Sequence, residues 1–111
     1  MTKPEKWLIL SIEKEGEDTI YKVFAQWIGG YTDGDSWKMN SGISRVEEEG
    51  DYFKFYGASG SCYECAKPIY GTGTSYTTGV LNNLIKRAKE VGGTITILPS
   101  DTNWLNIEYG I

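Results

Sequence analysis

Ser75-Tyr76-Thr77-Thr78-Gly79-Val80-Leu81-Asn82-Asn83-Leu84-Ile85-Lys86-Arg87-Ala88-Lys89-Glu90-Val91 decides the fold class. Its apolar positions, Tyr76, Val80, Leu81, Leu84, Ile85, Ala88 and Val91, recur three and four apart, which is the spacing of one helix face. Lys86, Arg87 and Lys89 fall near its C-terminal end, where the helix dipole favours cations. Gly92-Gly93 stops it with residues free to take positive φ. The spacing predicts a helix near 75–91 with Val80, Leu84, Ile85 and Ala88 buried.

Everything around this stretch reads as strand. Before it, Trp7–Ile12 and Thr19–Ile28 are β-prone runs separated by the turn Glu15-Gly16-Glu17-Asp18, a hairpin pattern. Gly29-Gly30 and Asp33-Gly34-Asp35 then punctuate the chain. Ser36–Met39, Ile43–Glu47, Tyr52–Tyr56 and Cys62–Lys67 follow as short strands, with Glu49-Gly50-Asp51 as a turn. After the helix, Thr94–Leu98 is a strand ended by Pro99, and Trp104–Tyr109 alternates enough to be a last one. The fold class is therefore α+β: an antiparallel meander of six or seven short strands packed on one main helix, a single domain over residues 1–111. One helix cannot cover so many strands. Two solutions follow, a partly closed barrel in a monomer or a homo-oligomer with the aromatic tail as its contact.

Composition limits the function classes. A net charge of −4 opposes broad binding of duplex DNA or RNA and docking on an anionic membrane. No run is long and apolar enough to span a bilayer, and Met1–Lys6 has no leader-like apolar stretch, so a cytoplasmic location is expected. The chain has no histidine, and none of the nucleophile-elbow, Walker or dinucleotide motifs occurs. Catalysis thus has no positive support, and no cofactor is expected. Cys62 and Cys65 have a C-x-x-C spacing but no further Cys or His to complete a zinc site. Their surroundings read as a strand, which would put them on opposite faces, so they are expected to be two reduced thiols with at least one in the core.

The chemistry-bearing stretch is Gly57-Ala58-Ser59-Gly60-Ser61 together with Tyr70-Gly71-Thr72-Gly73-Thr74-Ser75-Tyr76, which enters the helix. A helix N-terminus carries unpaired N–H groups and a partial positive charge, glycines admit an anion to the backbone, and hydroxyls add donors. No Asp or Glu occurs between Glu64 and Glu90. The alternative is plain N-capping by Thr74 or Ser75. If the anion belongs to a nucleotide, Trp37, Tyr63, Tyr70 and Tyr76 are the candidates to stack on a base. Asn40, Ser41, Ser59, Ser61, Thr72, Thr74 and Ser75 are candidates to bond it, and Lys67 is the nearby cation. The alternatives are a core role for Trp37 and a simple turn for Asn40-Ser41-Gly42.

Trp37-Lys38-Met39-Asn40-Ser41-Gly42-Ile43, followed by Tyr56-Gly57-Ala58-Ser59-Gly60-Ser61-Cys62-Tyr63-Glu64-Cys65 and Tyr70-Gly71, resembles a pattern in short phage-encoded proteins, the anti-CBASS sponges. It covers roughly the middle third of the chain. The resemblance implies a non-enzymatic protein that sequesters a cyclic nucleotide signal such as 3′,3′-cGAMP, as an oligomer in the cytoplasm of the infected host. Its two phosphates would need compensation from Lys38, Arg45, Lys54 or Lys67. Two rivals stand beside this reading. One is a small acidic inhibitor of a host protein, a DNA mimic working through Glu47-Glu48-Glu49 and Asp51. The other is a nucleotide-processing enzyme.

Overall fold

Trp7-Leu8-Ile9-Leu10 has no polar residue to show to water on either side, and all four are buried. They sit in the central strand of a four-stranded antiparallel sheet. In this computed structural model, which describes residues 1–29 and 34–110, β1 (Lys6–Lys14) pairs with β2 (Ile20–Trp27) on one side. On its other side it pairs with β7 (Gly93–Ile97). β3 (Ser36–Met39) adds to β2, giving the order β3-β2-β1-β7. A second sheet is the meander β4 (Ile43–Glu49), β5 (Tyr52–Gly57) and β6 (Cys62–Ala66). One helix, α1 (Ser75–Glu90), completes the set. The fold is α+β with seven strands among the described residues, as the patterning predicts. Gly30 and Asp33, read as part of a joint, lie outside the described residues.

The coverage problem is solved by layering. Alternate residues of a strand point to opposite faces. Leu8 and Leu10 of β1 and Phe24 of β2 point one way and meet Leu81 of α1. Trp7, Ile9, Val23 and Ala25 point the other way and meet Ile43, Phe55, Tyr63 and Cys65 of the second sheet. The order is helix, four-stranded sheet, three-stranded sheet, and the helix covers one face of one sheet only.

The tail departs from the predicted strand. Trp104–Asn106 is a single 3-10 turn, capped by the Asn103 side chain, which accepts from Leu105 N–H. Trp104 and Tyr109 are buried in the core between the sheets, and the Tyr109 hydroxyl donates to Trp104 O. Burial holds the Tyr109 hydroxyl well above the ordinary tyrosine range. The apolar alternation of the tail is real, but it closes the end of the sandwich and extends no sheet. The two aromatic side chains of the tail are therefore spent on the core, and the large apolar side chain that the tail leaves exposed is Leu105.

On the helix, Leu81 and Thr77 are the fully buried residues, while Val80, Leu84, Ile85 and Ala88 are only half-buried. The predicted face is right, but its centre is displaced, because α1 lies near β7 at the sheet margin. Leu81→Ala should cost about 3 kcal/mol in denaturant unfolding, within the range for buried leucines. Leu84→Ala should cost about 1 kcal/mol, because much of its surface is already wet.

Cys62 and Cys65 are on β6, half-buried and buried respectively, with both thiols free. Their odd spacing puts them on opposite faces of the strand, as predicted. Burial pushes the Cys65 thiol far above its ordinary range. A thiol reagent applied to the folded protein should therefore modify no more than one sulfur, that of Cys62, and should reach Cys65 only after denaturant is added. Mass spectrometry of the labelled peptides reads this directly.

Candidate functional site

The helix entrance is built on one cross-strand row. Lys6 of β1 lies opposite Gln26 of β2, and Gln26 lies opposite Trp37 of β3. All three belong to the helix-side face of the four-stranded sheet, by the same alternation that places Leu8 and Phe24 there. Above the row runs Tyr70-Gly71-Thr72-Gly73-Thr74, entering α1. The loop is tied to β1 by Gly71 N–H, which donates to Trp7 O at 2.9 Å. Gly71 takes φ 144°, a conformation that a side chain would strain. A Cβ there would also stand 3.6 Å from Lys6 Nζ. The lysine thus lays its ammonium along the loop.

Gln26 organises the loop. It is fully buried, its Nε2 donates to Gly71 O at 3.0 Å, and its Oε1 accepts from Gly73 N–H at 2.7 Å and from Thr77 Oγ1 at 2.9 Å. Thr74 is the N-cap of the helix. Its hydroxyl accepts from Thr77 N–H at 3.3 Å, and its own N–H donates to Thr77 Oγ1 at 3.1 Å. This is a capping box with Thr in the place usually held by Glu or Gln. No acidic residue stands in the first turn.

Capping by Thr74, the plain alternative, is therefore present, and it uses some of the entrance amides but not all of them. Gly73, Thr74 and Thr77 spend their amides inside the chain. The N–H groups of Ser75 and Tyr76 have no partner among the described residues and face outward at the positive end of the dipole. Thr72 and Ser75 are exposed, and Tyr76 is 53% exposed. Trp37 is half-buried, stacked on Phe24 at 5.5 Å between centroids. Its core role and an accessible edge coexist.

The remaining predicted residues do not converge here. Tyr63 is 1% exposed, in the core between the sheets. Tyr70 packs edge-on to Trp7 at 4.7 Å, and its hydroxyl bonds Ile9 N and Leu98 O, so it is a structural strut between sheet and loop. Asn40 is buried and stands in for a ladder partner, its Oδ1 accepting from Val23 N–H. Ser41 and Ser59 bond each other at 3.2 Å beside the β5–β6 turn, and Ser61 fixes that turn through its carbonyl, which accepts from Gly57 N–H. Lys67 lies past the other end of β6, about 20 Å along the strand from Ser61 at about 3.3 Å per residue. It is paired there with Glu48. Six of the twelve, Tyr63, Tyr70, Asn40, Ser41, Ser59 and Ser61, thus serve the core or a turn, and Lys67 an ion pair. The residues that the sequence reading missed are Lys6 and Gln26. The signal in the sequence was a polar amide inside the apolar run Val23-Phe24-Ala25-Gln26-Trp27, because such a side chain, once buried, must find several partners.

Three of the four carboxylates of the acidic run, all but Asp51, are paired with cations of the same chain. Glu47 is held by Arg45 at 2.6 Å and by the Tyr56 hydroxyl, Glu48 by Lys67, and Glu49 by Lys54. The Arg45 bond keeps Glu47 below the usual carboxylate range. Of the four cations named as compensation for phosphates, Arg45, Lys54 and Lys67 are committed to these pairs.

Comparison of the chain with family models, with curated proteins and with solved structures finds no match. Among the described residues no helix is long and apolar enough to cross a membrane.

Gln26→Leu tests the architecture of the site without touching its exposed surface. It leaves Gly73 N–H, Thr77 Oγ1 and Gly71 O without their partner. It should cost about 2–3 kcal/mol of stability. Hydrogen exchange should show the loss concentrated in residues 71–77.

Proposed function

We propose that the protein is a non-catalytic binder of a nucleotide, holding a phosphate at the entrance of α1. One observation carries the reading: the Lys6–Gln26–Trp37 row lies beneath a helix N-terminus that keeps two amides unpartnered and no carboxylate in its first turn. The phosphate would be met by Ser75 N–H, Tyr76 N–H and the Lys6 ammonium, with the Ser75 and Thr72 hydroxyls as further donors. Tyr76 would give its exposed ring to the base, with the edge of Trp37 as a second contact. Thr74 contributes as the cap that orients these amides, not as a ligand.

The resemblance of the middle third to the anti-CBASS sponges sharpens the ligand class to a cyclic nucleotide such as 3′,3′-cGAMP. In that reading the protein acts by stoichiometry in the host cytoplasm and cleaves nothing. The DNA-mimic reading is weakened, since each of Glu47, Glu48 and Glu49 already faces a cation of its own chain and only Asp51 of the acidic run has no ion pair among the described residues.

Isothermal calorimetry against linear and cyclic mono- and dinucleotides is the test, with Lys6→Glu and Tyr76→Ala as variants. Charge reversal at Lys6 removes an attraction and adds a repulsion, each worth about 1–4 kcal/mol at 4 Å, so affinity should fall about a hundredfold or more. Tyr76→Ala should cost about 1–3 kcal/mol of binding if a base stacks on it. Both side chains reach solvent, so circular dichroism should show the fold intact. A panel with no binder, or affinity unchanged in both folded variants, would sink the reading.

A further inference from the structure

Four strand edges close the two sheets among the described residues, and three of them carry a protecting device. β3 is four residues long and bears Lys38. β4 is lined by Arg45, Glu47, Glu48 and Glu49 and broken by an irregularity between Ile43 and Arg45. β6 is covered by the N-terminal segment: Thr2 N–H donates to Cys62 O, and Glu64 N–H donates to Thr2 O. Short length, charge, bulges and cover are how proteins keep sheet edges from pairing with other chains.

β7 has none of these. From Gly92 to Ser100 there is no charged residue, although the chain as a whole carries −4. The strand is Gly-Thr-Ile-Thr-Ile, rich in β-branched side chains. Its register shows which groups are free. Leu98 N–H donates to Ile9 O, so Leu98 and Ile9 form a hydrogen-bonded pair. In an antiparallel ladder such pairs alternate. Thr96 opposite Ser11 and Thr94 opposite Glu13 therefore also point inward to β1. Ile95 and Ile97 point their N–H and C=O groups outward, and no partner for these exists among the described residues. Ile97 also leaves 39% of its surface exposed.

We infer that β7 is a self-association seam, on which a second copy of this chain pairs its own β7 antiparallel about a two-fold axis at Thr96. The register follows from which groups are free. Ile95 of one copy faces Ile97 of the other, and the reverse, so the outward N–H and C=O groups of these two residues are met in each copy, by four hydrogen bonds across the seam, while Gly93 faces Pro99 of the other copy, which can accept but has no N–H to give. Thr96 faces its own counterpart, a favourable cross-strand pair. Ile95 and Ile97 lie side by side on the helix side of the seam. The result is a continuous antiparallel sheet in the order β3-β2-β1-β7-β7-β1-β2-β3, with both helices on one face. A second copy fits this edge better than an unrelated peptide, because the strip carries no charge with which to select one and its outward pattern is complementary to itself. Pro99 ends the seam by stopping the strand. The inference rests on the β7 edge alone and stands or falls apart from the nucleotide reading.

Analytical ultracentrifugation of the full chain at micromolar concentration should show twice the monomer mass. Thr96→Lys sets two like charges face to face on the axis and should weaken association by about tenfold or more. Thr96→Glu should do the same, and an equal mixture of the two variants should restore the dimer. Hydrogen exchange on the unaltered chain gives a reading that needs no variant. The Ile95 and Ile97 amides should become protected as concentration rises, while those of Thr94 and Thr96 are protected at every concentration. A chain that stays monomeric, a dimer indifferent to Thr96→Lys, or Ile95 and Ile97 amides that exchange fast at all concentrations overturns the inference.

Discussion

The structure depends on burying β1 from both sides. Trp7 and Ile9 face the second sheet, Leu8 and Leu10 face the helix, and both edges of the strand are hydrogen-bonded, to β2 and to β7. A strand with consecutive large apolar residues must have a layer on each face. Neither layer suffices alone: α1 covers the Leu8–Leu10 side, and β4–β6 with Trp104 covers the Trp7–Ile9 side. At about 1.5–3 kcal/mol for each large side chain fully buried, these four residues together contribute about 6–12 kcal/mol, comparable to the whole net stability of a typical domain. Trp7 does more than fill space. Its Nε1 donates to Ala66 O at 2.7 Å, and its backbone carbonyl holds Gly71, so the same residue links the central strand to the second sheet and to the helix entrance.

That linkage explains how core and candidate site share parts. The row Lys6–Gln26–Trp37 is the continuation, one step along the sheet, of the row Leu8–Phe24–Met39 that supports Leu81. Moving two residues along three strands changes the surface from apolar to cationic, amide and indole. The loop 70–74 is held to this row by Gln26 from beneath and anchored at its start by Tyr70, whose ring packs on Trp7. The N–H groups of Ser75 and Tyr76 are therefore fixed in direction before any ligand arrives. Preorganisation of this kind lowers the entropy cost of binding.

Much of this was legible in the sequence. The helix bounds, the hairpin and the five further strands follow from period and punctuation, because each rests on neighbours close in the chain. The third layer was also written in Trp7-Leu8-Ile9-Leu10, whose lack of alternation marks a strand covered on both faces. The tail was misread because apolar alternation over Trp104–Tyr109 fits a strand and an irregular plug equally, and only the space left between the sheets decides. The candidate site was half legible. Gly71–Ser75 showed itself by composition, but Lys6 and Gln26 join it from 45 and more residues away through strand register. Tyr63, Tyr70 and Asn40 looked like ligand contacts because aromatic and amide groups serve cores and sites with the same chemistry.

Net charge is a poor guide to where an anion can sit, and the distribution here shows why. Three acidic residues without an ion pair, Glu13, Glu15 and Asp18, stand at the β1–β2 turn, while Lys6 stands at the opposite end of β1. Seven residues of extended chain span about 23 Å. At physiological ionic strength the screening length is about 8 Å, so the turn lies nearly three screening lengths from the helix entrance. The carboxylate nearest in sequence, Glu5, is turned to Ile28 N–H at 2.8 Å. The acidic run of β4 is matched by its own cations. What a phosphate at the entrance would feel is set by a few ångströms of amide, ammonium and dipole, and a chain of net charge −4 can keep that small region positive.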